Sequence, residues 1–493
     1  MSRISPHKQN NMAMDTTQIS RRDFCRIGMT SMAALGLTGL TGGGCTKKPA
    51  VLNLTDTPPN FIVFLVDMLR ADHLGVYGYP KRSSPHIDQL ARQGIVFDNA
   101  YAPCPWTLPS VVSLLSGLVP PSHRALFEND HVILPSPDAW LPPLFKQRGY
   151  TTVCFHTHPY LRRESTNLHL GFDQYHDPSR QKRDLNGFSQ HMFMDTLYPA
   201  CEHWLERNHR KRFFMYIHVI DVHGPYGKIR VLDEDRQQFD DLLKSGWRVP
   251  RLPNRLFMSS SRHAYPQKSF LYDGHLFSVD RYVGKLFEKL NTLGIRDNTV
   301  MAVTSDHGEG FGEHNGWRHG QNVFDEQVRI PLILLAHEQI RRRAGRRRGL
   351  VNTTGLLPTL LDMIGISAAD RSDVPSFLRL ISADSDDHRY PSLSDWCLKN
   401  RTPDNPDAFM LNKRFKLITH KSTGVHFLYD LKTDPGELHP ITLSSKAHPR
   451  LKDILRKLIH QRKAYLKSLH HHSGTVRKLK ADEMRDLETL GYL

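Results

Sequence analysis

A chain of 493 residues, 39% of them hydrophobic and 24% charged, has enough apolar material for a large core, which excludes a small stapled scaffold. Lys and Arg number 66 against 50 Asp and Glu, and the resulting charge of +16 favours anionic partners or an anionic membrane face. Nucleic acid is not expected among them, because the basic residues concentrate in Arg341–Arg348 and Lys452–Lys480 without aromatic interleaving or zinc-finger spacing, and read as solvated faces.

Residues 1–45 read as an address. Ser20-Arg21-Arg22-Asp23-Phe24 precedes an apolar run, Ile27 to Leu40, and then Gly42-Gly43-Gly44-Cys45, an arrangement that resembles a twin-arginine export signal. The run is too short and Gly-rich for a membrane span of about 20 apolar residues. The expectation is export in a bacterium, to the periplasm or to a membrane-anchored state. Cys45 has two readings: the lipidated first residue of a lipoprotein, giving membrane attachment, or a bystander near an ordinary signal-peptidase site. Residues 46–59 read as a linker, and Cys104, Cys154, Cys201 and Cys397 in the body fit no metal motif.

Phe61–Val66 is a continuous apolar run ending at Asp67, the pattern of a strand covered on both faces. Similar runs recur at Thr152–Phe155, Phe213–Val219, Val300–Ser305 and Pro331–Leu335. Between them, Ile87–Gln93, Leu108–Ser116, Leu141–Arg148, Tyr198–Arg207 and Phe277–Leu293 have helical spacing. This alternation predicts an α/β fold: a large, mostly parallel or mixed central sheet with helices on both faces and ligands beyond the strands' carboxyl ends. Phe415–Ile418 and His426–Tyr429, parted by a turn at Gly424, predict a short antiparallel sheet, and Leu451–Leu469 predicts a helix. The expected organisation is a catalytic domain over 60–375, a small C-terminal α+β subdomain over 376–470 and a basic tail over 471–493. His470-His471-His472 reads as a feature of that tail.

Three segments place metal-competent side chains at predicted strand ends: Asp67, then Asp221 with His223, then Asp306-His307 followed by His314 and His319. Between the first two, Thr107 stands at or just before a helix start, where unpaired N–H groups and the helix dipole lower the cost of an alkoxide. Carboxylates with an imidazole suit one divalent ion, Mn²⁺, Zn²⁺, Mg²⁺ or Ca²⁺, able to activate a hydroxyl and polarise a phosphoryl or sulfuryl oxygen. A lone Asp at a strand end is commonly a turn residue, and a lone Thr before a helix a cap; their joint placement is the signal.

The ordered series Phe64–Gly75, Ser84–Ala91, Phe97–Tyr101, Thr107–Gly117, Asp221–Tyr226, Thr304–His314, Leu428–Leu431, Asp434–Glu437 and Leu490–Tyr492 resembles the sulfatase family of the alkaline-phosphatase superfamily, from Asn60 to Leu493. The resemblance implies a sulfatase-like fold and a metal set of Asp67, Thr107, Asp306 and His307. It also implies substrate-anion binding by His223 and His319, with His314 and Lys416 as further candidates. Each of those two has a plainer reading, as a loop histidine near Glu313 and as a solvated strand lysine. His156, His158, Arg162 and Arg163, after another strand, read as surface charge before substrate contacts.

The family's usual Cys-x-Pro-Ser-Arg is here Thr107-x-Pro109-Ser110-Val111, so no formylglycine is expected. Hydrated formylglycine carries a second hydroxyl that can eliminate its sulfate; a threonine ester must instead be cleared by attack of water or another acceptor. The set is similar to that of Thr-nucleophile relatives such as phosphoethanolamine and glycerophosphate transferases. The expected activity is metal-dependent hydrolysis of a small or polymeric anionic sulfate or phosphate ester through a covalent Thr107 ester. In that mechanism His223 and His319 bind the anion and protonate the leaving group. Phosphoryl transfer to another acceptor and a catalytically silent anion-binding protein are the alternatives.

Overall fold

A computed structural model of the chain describes residues 52–128, 131–163, 166–177, 193–224, 237, 264–383, 391–395, 406–410, 412–441, 449–469, 474–478 and 480–481. The expected export signal, Cys45, Pro225-Tyr226, Cys397, His470–His472 and the closing Leu490–Tyr492 lie outside them. Among the described residues no helix is long and apolar enough to cross a membrane.

Among the described residues nine strands form the central sheet: β1 (Asn60–Val66), β2 (Ile95–Tyr101), β3 (Thr151–His156), β4 (Gln174–His176), β5 (Phe213–Val219), β6 (Thr299–Thr304), β7 (Arg329–Ile330), β8 (Leu332–Ala336) and β9 (Gly345–Asn352). Their order is β7-β2-β8-β6-β1-β5-β3-β4, with β9 also on β2. β6, β1, β5, β3 and β4 run parallel, whereas β8 lies antiparallel to both β6 and β2, so the sheet is mixed.

Both faces of β1 are covered, which is why its run is unbroken in apolar character. Phe61, Val63 and Leu65 pack with Leu108, Val111 and Leu115 of α2 (Thr107–Ser116) and Leu357 and Leu360 of α5 (Leu356–Met363). Ile62, Phe64 and Val66 face the opposite layer, made by Ile87 of α1 (Pro85–Ala91), Cys201 of α3 (Met194–Asn208) and Val283 of α4 (Ala264–Thr292).

A second, antiparallel sheet has the order β10 (Ser392–Asp395), β11 (Pro406–Met410), β12 (Phe415–His420), β13 (Val425–Asp430). One face of it, Ala408, Met410, Ile418 and Tyr429, packs on Tyr101, Val328 and Leu350 of the main body. The other, Phe415, Leu417 and Leu428, takes Leu455 and Leu458 of α6 (Pro449–Ser468).

The basic run 341–348 is not wholly a solvated face. It enters β9, and Arg347 is buried with its guanidinium donating to the carbonyls of Leu380 (2.8 Å), Ile381 (3.1 Å) and Arg343 (2.7 Å). The expected basic tail likewise contributes a strand, Gly474–Lys478, paired with His131–Pro135. Cys104, Cys154 and Cys201 are all buried.

Candidate active site

Parallel neighbours share a carboxyl edge, and the loops leaving that edge converge. Asp67 leaves β1 with its N–H bonded to the Val219 carbonyl at 2.9 Å, and Thr157 leaves β3 bonded to the His218 carbonyl at 3.0 Å. Ser305-Asp306-His307 follows β6, and Asp221 and His223 follow β5.

Asp67, Asp306 and His307, all buried, each present one ligand atom within 4.8 Å of the others. His307 Nε2 lies 3.4 Å from Asp67 Oδ1 and 3.5 Å from Asp306 Oδ2. Neither of those two oxygens has a hydrogen-bond partner among the described residues. The remaining atom of each ligand is engaged. Asp306 Oδ1 accepts from the N–H groups of His307 (2.9 Å) and Met68 (3.3 Å), and His307 Nδ1–H donates to the Gly308 carbonyl at 2.8 Å. Two orphaned buried carboxylate oxygens and an imidazole lone pair aimed at one point would be costly unless a cation sat between them, so the donor set fits one divalent ion. The electrostatics agree. Burial and the neighbouring Asp67 charge push the Asp306 carboxyl well above its ordinary range. Burial would also raise Asp67, but the N–H groups of His158 and His218 and the His307 ring hold it well below that range. Burial lowers His307, the direction that favours the neutral ring a metal ligand needs.

Thr107 is the first residue of α2, and Trp106 before it is extended and supplies no side-chain cap. Its Oγ1 lies 3.2 Å from His307 Nε2 and 3.4 Å from Asp67 Oδ2. The hydroxyl therefore shares one buried site with Asp67 and His307, at a helix N-terminus that favours anionic oxygen. All ten residues of α2 are buried, and its end is fixed where Gly117 adopts φ +75° with Ser372 Oγ 2.7 Å from where a Cβ would stand.

The sequence profile of the family described as "Sulfatase" matches residues 59–366, more than half of the chain. The chain belongs to the sulfatase family. A second profile, "N-sulphoglucosamine sulphohydrolase, C-terminal", matches residues 312–464. The chain is 25% identical over 351 residues to an ulvan-active sulfatase of Formosa agariphila, a match covering 66% of each protein, just under two thirds. It is 24% identical over 470 residues to an arylsulfatase of Clostridium perfringens, covering 81% of this chain and 93% of that one. Its fold superposes on the crystal structure of the phosphonate monoester hydrolase of Agrobacterium radiobacter with a TM-score of 0.60 at 18% identity, over 83% and 96% of the two chains.

Within this sulfatase fold, five imidazoles among the described residues line the site. Ring centroids are 4.8 Å apart for His307 and His319, 5.0 Å for His319 and His223, 6.4 Å for His223 and His158, and 5.4 Å for His158 and His218. His223 donates from Nδ1 to the Gly224 carbonyl, and burial lowers it to about 4. His319 sits on a loop tied to the segment before Thr107 by Gly320 N–H donating to the Pro105 carbonyl at 2.8 Å. Glu309 Oε2 faces His319 Nδ1 at 3.6 Å, with its carboxyl pushed up to about 7 by burial. Reading the sequence missed His218 and Glu309, and took His156 and His158 for surface charge. Both of those histidines are fully buried. Its place between an apolar run, Thr152–Phe155, and Pro159 was the available signal for His158.

His314 and Lys416 stand elsewhere. His314 Nδ1 contacts the Glu326 carboxylate at 3.1 and 3.2 Å, Nε2 reaches the carbonyls of Gly436 and Glu437, and the ring stacks on Phe324 at 3.7 Å. Lys416 is fully buried, its ammonium 2.8 Å from both Asp325 and Glu437. These contacts join the two sheets. Arg163, in contrast, is exposed, its guanidinium over the Tyr175 ring.

Proposed function

We propose that this chain is a cation-dependent hydrolase of sulfate or phosphate esters with Thr107 as its nucleophile. The observation that carries the reading is the shared site of the Thr107 hydroxyl, 3.2 Å from His307 Nε2 and 3.4 Å from Asp67 Oδ2. A divalent ion held by Asp67, Asp306 and His307 would lower the cost of the Thr107 alkoxide and draw charge from a non-bridging ester oxygen. Thr107 Oγ attacks sulfur or phosphorus in line with the ester oxygen, and the new O–S or O–P bond forms as the bond to the leaving alkoxide breaks. Binding of the ester anion raises the proton affinity of His319 and His223, and the leaving oxygen then takes a proton from one of these rings. The first N–H groups of α2 hold the non-bridging oxygens. Water then attacks the Thr107 ester, releasing sulfate or phosphate and restoring the hydroxyl.

The names of the relatives and the charge of +16 support a sulfated sugar or polysaccharide as substrate. Export through the residue 1–45 segment, with lipid on Cys45 as one route to the membrane, belongs to the same reading. Phosphoryl chemistry, including transfer to another acceptor, is favoured by one observation: Thr107 has a single hydroxyl, and phosphorus tolerates in-line displacement of a simple ester.

The test is turnover of aryl sulfate, aryl phosphate monoester and aryl phosphate diester by the full chain, before and after cation removal. Activity is expected to vanish with chelation, to return with the ion, and to fall by at least about 10³-fold in Thr107→Ala. Turnover that survives Thr107→Ala overturns the nucleophile. Tight cation binding with no turnover of any ester supports the silent anion-binding alternative.

A further inference from the structure

We propose that His158 and His218 are positioning residues that fix which oxygen of Asp67 faces the cation, an assignment that rests on the metal-dependent reading above. The argument is one of tautomers. The Tyr160 N–H donates to His158 Nδ1 at 3.0 Å, so the proton of the neutral ring belongs to Nε2, which lies 3.2 Å from Asp67 Oδ2. The Tyr216 hydroxyl lies 2.9 Å from His218 Nδ1, and His218 Nε2 lies 3.3 Å from the same Oδ2. With the Tyr216 hydroxyl donating, His218 presents Nε2–H to the carboxylate; the opposite tautomer would aim a lone pair at it.

The two Nε2 atoms come from different elements, the loop after β3 and β5 itself, and both lie within 3.3 Å of one oxygen. Tyr216, Asp67, His158 and His218 are all fully buried, so water is not at hand to replace a lost donor. With Oδ2 engaged, Oδ1 stays turned toward Asp306 Oδ2 and His307 Nε2. Outer-shell donors of this kind commonly set metal affinity by orienting the ligand and fixing its charge.

Calorimetric titration of the chelator-stripped full chain, without substrate, tests this with the tightest binder among Mn²⁺, Zn²⁺, Mg²⁺ and Ca²⁺. His158→Leu and His218→Leu are expected to weaken binding by about 10- to 100-fold, with His158→Gln and His218→Gln, which keep an N–H donor, recovering most of the loss. Tyr216→Phe leaves both rings in place and removes only the group that sets the His218 tautomer. Its expected loss is about threefold or more, and it decides the question if a leucine variant does not fold. Leucine variants within about twofold of the parent, glutamine variants as weak as leucine, or an unchanged Tyr216→Phe overturn the assignment. A parent chain that binds none of the four ions overturns the metal-dependent reading itself, a different and separately visible result.

Discussion

At Gly308 a Cβ would stand 2.2 Å from the Glu326 carbonyl oxygen, and the Gly308 carbonyl also holds the His307 ring through Nδ1–H at 2.8 Å. Backbone against backbone cannot give way locally, so Gly308→Ala displaces the His307 loop. The expected outcome is cation affinity at least about tenfold weaker by calorimetry, together with a lower unfolding temperature. Unchanged affinity would mean that the loop does not set the ligand geometry. At this scale, Asp67, Asp306 and His307 were legible because each follows an apolar run, where a parallel sheet turns its polar residues toward one edge. His218 was not legible. It sits inside the run Phe213–Val219, where a polar residue is indistinguishable from a satisfied core group until the neighbouring strands are placed. Glu309 was masked by its neighbours, because a carboxylate two residues past His307 reads as part of the same loop.

The seam between the two sheets depends on two side chains that a substrate-binding role would place elsewhere. Lys416, fully buried, bridges the partly exposed Asp325 and the buried Glu437, so its removal leaves a buried carboxylate uncompensated. Lys416→Met is expected to cost about 3–5 kcal/mol in chemical denaturation while leaving KM unchanged in the folded fraction. A raised KM with full stability would instead put Lys416 at the substrate. His314 gives the seam a pH dependence. Burial would lower this ring, but the Glu326 carboxylate beside it raises it above an unfolded imidazole. A raised folded value means that the stabilisation is full below about pH 6.5 and is lost as pH rises through the folded value. His314→Ala should therefore destabilise by about 1–3 kcal/mol near pH 6 and by less near pH 9; an equal loss at both would remove charge from the explanation. The strands β12 and β13 showed in the sequence through their alternation and the Gly424 turn. β10 and β11 did not, because Ser392–Asp395 and Pro406–Met410 mix polar residues and a Pro with too few apolar positions for a period of two.

Across the whole molecule, the parallel core β6-β1-β5-β3 could be read from four apolar runs separated by helical spacing, and with it the edge where the site lies. The antiparallel half was less legible: β9 hides in an arginine-rich run whose Arg347 is buried against carbonyl oxygens, a placement that only tertiary packing decides. What the fold achieves is convergence, bringing Thr107 to Asp67 and His307, 40 and 200 residues away in sequence. Mass spectrometry of the full chain, acid-quenched during turnover of an aryl phosphate or aryl sulfate, tests that convergence most directly. The account predicts a phosphoryl or sulfuryl group on the peptide bearing Thr107, absent from Thr107→Ala; steady turnover with the adduct on another residue would contradict it.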